Sequence, residues 1–202
     1  MNKPKLVVAT GNKHKLIEIA QIFSEFEIVS QKQAGFDVDV EETGTTFMEN
    51  ALIKARAASK ALNLPTLADD SGICVDALGG APGVYSARYC GVHGNDAENR
   101  AVLLKNLGDN KNRAAHFACA VALVFPSGKE VTAEGFTYGK ILYKEEGDGG
   151  FGYDPLFLND DLNKSFGVAT AEEKNSVSHR SRALYALKEE CKKAGVILGE
   201  KQ

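Results

Sequence analysis

Two pairs of neighbouring carboxylates carry the clearest chemical potential in this chain. Glu41–Glu42 and Asp69–Asp70 each set like charges side by side, which is costly to bury unless a cation compensates. Hard oxygen donors of this kind suit Mg²⁺ or Mn²⁺. Mg²⁺ usually takes one or two carboxylates and fills its shell with substrate phosphates. Asp69–Asp70 directly follows the short apolar stretch Thr66–Ala68, and the end of a strand is a usual place for a metal ligand or a general base. A turn-and-cap device accounts for the same two residues. A solvated acidic loop accounts for Glu41–Glu42, and which of those two glutamates would ligate is open.

Three further segments supply complementary chemistry. Thr10-Gly11-Asn12-Lys13-His14-Lys15 lies between an apolar strand and a helix. Backbone N–H groups at a helix N-terminus attract anions, Gly lets the backbone come close, and Lys13 and Lys15 add charge. The segment is neither a Walker A loop nor a dinucleotide fingerprint, since the further glycines of both are missing. Gly149-Gly150-Phe151-Gly152-Tyr153-Asp154-Pro155 sets two aromatics among glycines before a carboxylate. A ring there can stack on a nucleobase, or the aromatics can fill the core of a β-turn. Lys174 and Ser178-His179-Arg180 offer cations, with Arg180 presenting a planar donor fork; surface decoration is the plainer reading. Together these parts suit a Mg²⁺–nucleoside triphosphate site.

The elements that must position them follow from periodicity. Lys5–Ala9 reads as a buried strand and Glu27–Gln31 as a second, with a helix between them showing Leu16, Ile19, Ala20 and Phe23 on one face. Thr46-x-x-Glu49 is a capping box that opens a helix with Phe47, Ala51, Ala55, Ala58 and Leu62 on one side. A strand over Thr66–Ala68 is expected to end at Asp69–Asp70. Asn95-x-x-Glu98 opens a helix with Ala101, Leu104 and Leu107 inward, and Pro126-Ser127-Gly128 turns one long strand into another. Thr170-x-x-Glu173 caps a short helix. A last helix carries Leu184, Leu187, Cys191 and Ala194 on one face and stops at Gly195. Helices alternating with early strands, then a late hairpin, favour a mixed α/β sheet.

Composition narrows the partners. The chain has 202 residues with a formal charge of −3, which argues against a basic nucleic-acid surface or binding to an anionic membrane. No apolar run approaches the roughly 18 residues of a membrane span, and Leu6–Ala9 is too short for a secretory core segment. Cys74, Cys90, Cys119 and Cys191 lack C-x-x-C spacing and read as reduced, mostly buried thiols of a cytoplasmic protein. The 20 glycines, about 10% against a usual 7% or so, concentrate in the loops that carry these motifs.

With Glu41-Glu42-Thr43-Gly44-x-Thr46-Phe47-x-Glu49-Asn50-Ala51, Ala68-Asp69-Asp70-Ser71-Gly72, Leu78-Gly79-Gly80-Ala81-Pro82-Gly83-Val84-Tyr85-Ser86-Ala87-Arg88-Tyr89, Gly150–Pro155 and Ser178–Arg180 following Thr10-Gly11-Asn12-x-x-Lys15 in order, the chain resembles the inosine triphosphate pyrophosphatase (Ham1-like) family over about residues 5–190. The resemblance implies Mg²⁺-dependent hydrolysis of ITP, dITP and XTP to the monophosphate and pyrophosphate, cleansing the nucleotide pool. It implies a single domain over residues 1–202, with two lobes around a central mixed sheet, a substrate cleft between them, and a homodimer. By position, Asp70 is the implied catalytic base and metal ligand with Asp69 beside it, and Glu41 or Glu42 is a further ligand. Thr10, Gly11, Asn12, Lys13, His14 and Lys15 would hold the phosphates and Ser71 would touch substrate. Phe151, Gly152, Tyr153, Asp154, Lys174, His179 and Arg180 would surround base and sugar. A donor such as Arg180 pairs with the oxygen at purine position 6 of ITP and conflicts with the amino group of ATP. A Maf-like pyrophosphatase for other modified nucleotides and a non-catalytic nucleotide-binding module are the alternatives. Clustered carboxylates argue against the second.

Overall fold

In a computed structural model, residues 3–196 are described, so the ends of the expected 1–202 domain lie outside the described residues. Among these residues, seven strands form one sheet: β1 (Lys5–Val8), β2 (Glu27–Ser30), β3 (Thr66–Val75), β4 (Ala114–Val124), β5 (Glu130–Ile141), β6 (Phe157–Asn159) and β7 (Lys164–Ser165). Their order is β2-β1-β3-β4-β5-β6-β7. The β1 strand runs parallel to β2 and β3, whereas β6 is antiparallel to β5 and β7, so the sheet is mixed as the element order predicts. Among the described residues, five α-helices accompany it: α1 (Lys13–Ile22), α2 (Phe47–Leu62), α3 (Asp96–Leu107), α4 (Ala171–Val177) and α5 (His179–Lys193). No helix among the described residues is long and apolar enough to cross a membrane.

The chain divides into two compact units. The first comprises Met1–Asp70, Cys119–Gly135 and Arg180–Gln202, and the second Ser71–Ala118 and Phe136–His179. In the first unit, alternate residues of β4 enter two different cores. Cys119, Val121 and Leu123 pack with Ile19 and Phe23 of α1 and with Leu184 and Leu187 of α5. Ala122 and Val124 pack with Ala51, Ala55 and Ala58 of α2. With both faces buried, β4 reads as an unbroken apolar run rather than an alternation. The alanine side of α2 allows close helix–sheet approach, and the Thr46–Glu49 box fixes where that helix starts. The second unit has its own core, in which Ile73, Val75, Leu103, Leu107, Phe117, Ile141, Phe157 and Phe166 meet.

Several sequence expectations shift. The third strand does not stop before the aspartates; it continues through Asp69, Asp70, Ser71 and Gly72 to Val75. Helix α3 buries Asn99, Leu103 and Leu107, and leaves Ala101 exposed. Ala20 and Ala194 are exposed, although the flanking Ile19, Phe23 and Cys191 are buried. Alanine carries little apolar area, so its place in a periodic pattern is weak evidence of which side faces the core. All four cysteines are free, with Cys119 and Cys191 buried and Cys74 and Cys90 half-buried.

Candidate active site

The first unit gathers charge around the middle of β3. Successive strand residues point to opposite faces, so Asp69 and Asp70 enter different surroundings. Asp69 is fully buried. Its Oδ2 lies 3.0 Å from Lys15 Nζ and accepts from Arg180 Nε at 3.1 Å. Arg180 is itself 1% exposed and donates through Nη1 to Glu18 of α1. The Cys119 thiol sits 3.9 Å from Asp69 Oδ2. Burial pushes the Asp69 carboxyl up, but Lys15, Arg180 and Lys54 overcome this and hold it well below the usual carboxylate range. Beside Asp69, burial pushes the Cys119 thiol far above its ordinary value.

Asp70 has a different balance. Its Oδ2 accepts from Asn50 Nδ2 at 3.1 Å, and its Oδ1 lies 3.6 Å from Lys54 Nζ. Burial is the largest influence and raises its carboxyl, helped by Glu42; Lys54, Lys15 and the Asn50 bond oppose the rise without cancelling it. Two adjacent carboxylates therefore move in opposite directions, a pattern that separates an anchoring acid from a proton acceptor. Lys54 stays cationic: burial would lower it, and Asp70, Glu42 and Asp69 outweigh that. Its ammonium donates to Glu42 Oε1 at 2.7 Å. Glu42, not Glu41, therefore reaches the aspartate cluster, while Glu41 is exposed.

The Thr10–Lys15 segment forms the strand–turn–helix that its sequence suggests. Asn12 caps α1, its Oδ1 accepting from the His14 and Lys15 amides at 2.9 and 3.3 Å. Thr10 Oγ1 accepts from the Asn12 amide at 3.1 Å. The cap thus takes two of the first-turn amides an anion would otherwise meet, leaving side-chain charge as the main attraction. Lys13 and His14 are exposed, and Lys15 turns inward to Asp69. Gly11 is exposed, with open space where a Cβ would stand.

The second unit holds the aromatic loop. Asp154 Oδ2 accepts from the Phe151 amide and from Lys174 Nζ, each at 2.8 Å, and the Lys174 ammonium lies 4.5 Å from the centre of the Phe151 ring. Gly150 has φ +73°, and a Cβ there would stand 2.1 Å from Asp154 Oδ2, so the turn accepts only glycine. The Gly152 amide donates to Asp96 Oδ2, and its carbonyl accepts from Arg100 Nη1, both at 2.8 Å. Phe151 is half-buried, whereas Tyr153 is a core residue whose hydroxyl donates to the Ser86 carbonyl at 2.9 Å. Asp154 is 2% exposed and staples the loop. His179 is buried and stacks on Phe117 with ring centres 4.8 Å apart and planes 13° apart. Ser71 is half-buried in β3.

Asn50 stands in the Glu41–Ala51 motif without an assigned role, and Lys54 and Glu18 escape the motif reading. The first two lie four residues apart on α2 and share a face; once the capping box fixes the start of the helix, that phase is readable. Glu18 lies one turn beyond Lys15 on α1, an ordinary spacing for surface ions with nothing to mark it as buried.

The pattern of a known family, Ham1, matches residues 6–190. A dITP/XTP pyrophosphatase of Clostridium perfringens is 46% identical over 198 residues, spanning 93% of this chain and 97% of its own length. One from Haemophilus influenzae is 46% identical over 192 residues, spanning 92% and 98%. Among solved structures, the Ham1 protein of Staphylococcus aureus superimposes with a TM-score of 0.85 at 38% identity, covering 94% of this chain and 99% of that one.

Proposed function

The chain belongs to the Ham1 family, and from that premise we propose that it hydrolyses ITP, dITP and XTP to the nucleoside monophosphate and pyrophosphate, keeping non-standard purines out of the nucleotide pool. The observation that carries this reading is Asp70. It is a carboxyl in the middle of a strand, raised by burial, oriented by Asn50 and set beside Glu42.

Glu42 and Asp70 fit a hard divalent cation: both offer carboxylate oxygen, and Lys54 draws both towards one point. These two would hold Mg²⁺ or Mn²⁺, which when bound neutralises phosphate oxygens and eases departure of pyrophosphate. Asp70 accepts the proton of the attacking water at a carboxylate oxygen, while Asn50 fixes the other oxygen. Lys13, exposed at the start of α1, attracts the phosphates, and Thr10 to His14 line the same turn. Lys15 and Arg180 steady Asp69 from two sides. Phe151 offers a ring face to the base, with Lys174 and Asp154 holding its loop and Tyr153 anchoring that loop in the core, and Gly152, His179 and Ser71 complete the proposed subsite. A homodimer and a cytoplasmic location belong to the same reading; sedimentation of the purified protein checks the first.

The test is direct. Incubated with Mg²⁺ and ITP, XTP, GTP or ATP, the protein should release pyrophosphate and monophosphate from ITP and XTP in preference to the other two. Orthophosphate as product, or no turnover, defeats the proposal. Phe151→Ala should raise KM for ITP by about fivefold or more, since base–aromatic stacking contributes about 1–3 kcal/mol. An unchanged KM would remove Phe151 from the base site.

A further inference from the structure

Lys54 takes no part in the proposed hydrolysis, yet its ammonium sits among the groups that would perform it. It lies 2.7 Å from Glu42 Oε1, 3.6 Å from Asp70 Oδ1 and 2.8 Å from the Asp69 carbonyl oxygen. Its side chain is 14% exposed. Hard oxygens around one positive charge are also what a divalent cation seeks. Among the described residues, no three His, Cys, Asp or Glu side chains are grouped so as to hold an ion unaided.

Charge balance governs whether an ion can enter. Asp69 is already matched by Lys15 and Arg180, so the local question concerns Glu42, Asp70 and Lys54. Counted by themselves, these two carboxylates and one ammonium sum to a single negative charge. A divalent ion entering beside the ammonium would reverse that charge and meet the ammonium at close range in a poorly solvated place. A triphosphate brings several negative charges and changes the balance, so ion and ammonium can then coexist. The lysine stem is flexible enough to release the carboxylates while its backbone stays fixed in α2.

We propose that Lys54 is a built-in counter-ion: it closes the Glu42–Asp70 pair to divalent metal in the nucleotide-free protein and yields that pair when metal arrives with a nucleotide. The proposal rests on the pyrophosphatase reading for the existence of a metal. Its test contains no nucleotide, so failure of either can be told from failure of the other.

The experiment titrates the nucleotide-free protein with MnCl₂ and follows free Mn²⁺ by electron paramagnetic resonance. Wild type should bind only in the millimolar range. Lys54→Met, which keeps the length of the stem, should bind Mn²⁺ at least about tenfold more tightly. Adding Glu42→Gln should remove that gain, and Lys54→Arg should behave as wild type. A folded Lys54→Met protein with no gain, or a gain that survives Glu42→Gln, overturns the proposal. Should Lys54→Met fail to fold, the wild-type titration decides: millimolar Mn²⁺ binding that tightens with inorganic tripolyphosphate, by more free Mn²⁺ lost than a protein-free tripolyphosphate control shows, supports the proposal, whereas micromolar binding, or no tightening beyond that control, overturns it.

Discussion

Asp70→Asn is expected to lower kcat for ITP by about 10²–10⁴-fold, the usual contribution of a positioned general base, in a protein that remains folded. The second half of that expectation comes from the direction of its shift. Burial raises the Asp70 carboxyl, so at neutral pH the folded state carries an ionised group it disfavours. That cost disappears as pH falls through the raised value, and a neutral isostere removes it at every pH. The amide oxygen of the asparagine can still accept from Asn50, so the bond that orients the side chain survives. Thermal melting at neutral pH should hold steady or rise while turnover collapses. Near-normal turnover in the variant would exclude Asp70 as the base.

The neighbouring substitution should do the reverse. Asp69→Asn removes the anion that Lys15 and Arg180 share, and takes from Arg180, 1% exposed, one of its carboxylate partners. Breaking a buried pair from one side costs about 3–5 kcal/mol, because the surviving charge stays desolvated. Urea denaturation of the two proteins measures the difference. A loss below about 1 kcal/mol would give the network no more weight than a surface ion pair. The pH dependence has a definite sign. The Asp69 carboxyl is held well below its ordinary value of 3.8, so it contributes stability above that value and loses it as pH falls further. The gap in stability between wild type and Asp69→Asn should therefore be full at neutral pH and narrow only in strong acid.

That adjacent residues diverge in this way could not be read from Asp69–Asp70 alone. The chain's motifs and the order of its elements identify the carboxylates, the capped helices, the hairpin and the aromatic loop. They misplace the end of β3, because two acids after a short apolar stretch look like a strand giving way to a turn. The strand continues because Lys15, Lys54 and Arg180, at the start of α1, on α2 and at the start of α5, supply the compensating charge. The same limit applies to Tyr153 and Asp154. Glycines around them suggest a ligand loop, but their partners, Ser86 and Lys174, lie 67 and 20 residues away and turn one into core and the other into a staple. Glu41 and Glu42 are equivalent by composition, and the position of Lys54 distinguishes them. Local pattern reveals which chemistry is present; the long-range partner decides which atom performs it.

Asn50 has a consequence of a different kind. It is fully buried, its Oδ1 accepts from the Gly44 amide at 2.8 Å, and its Nδ2 donates to Asp70 at 3.1 Å. A Cβ on Gly44 would stand 2.7 Å from that Oδ1, so the close approach depends on glycine. With both ends committed, the amide cannot turn over without breaking both bonds. Its two side-chain protons form a fixed probe aimed at the carboxylate of interest. In a ¹⁵N-labelled sample, the Asn50 side-chain resonance should move whenever Asp70 gains a proton or a cation, giving a view of the site that needs neither substrate nor turnover.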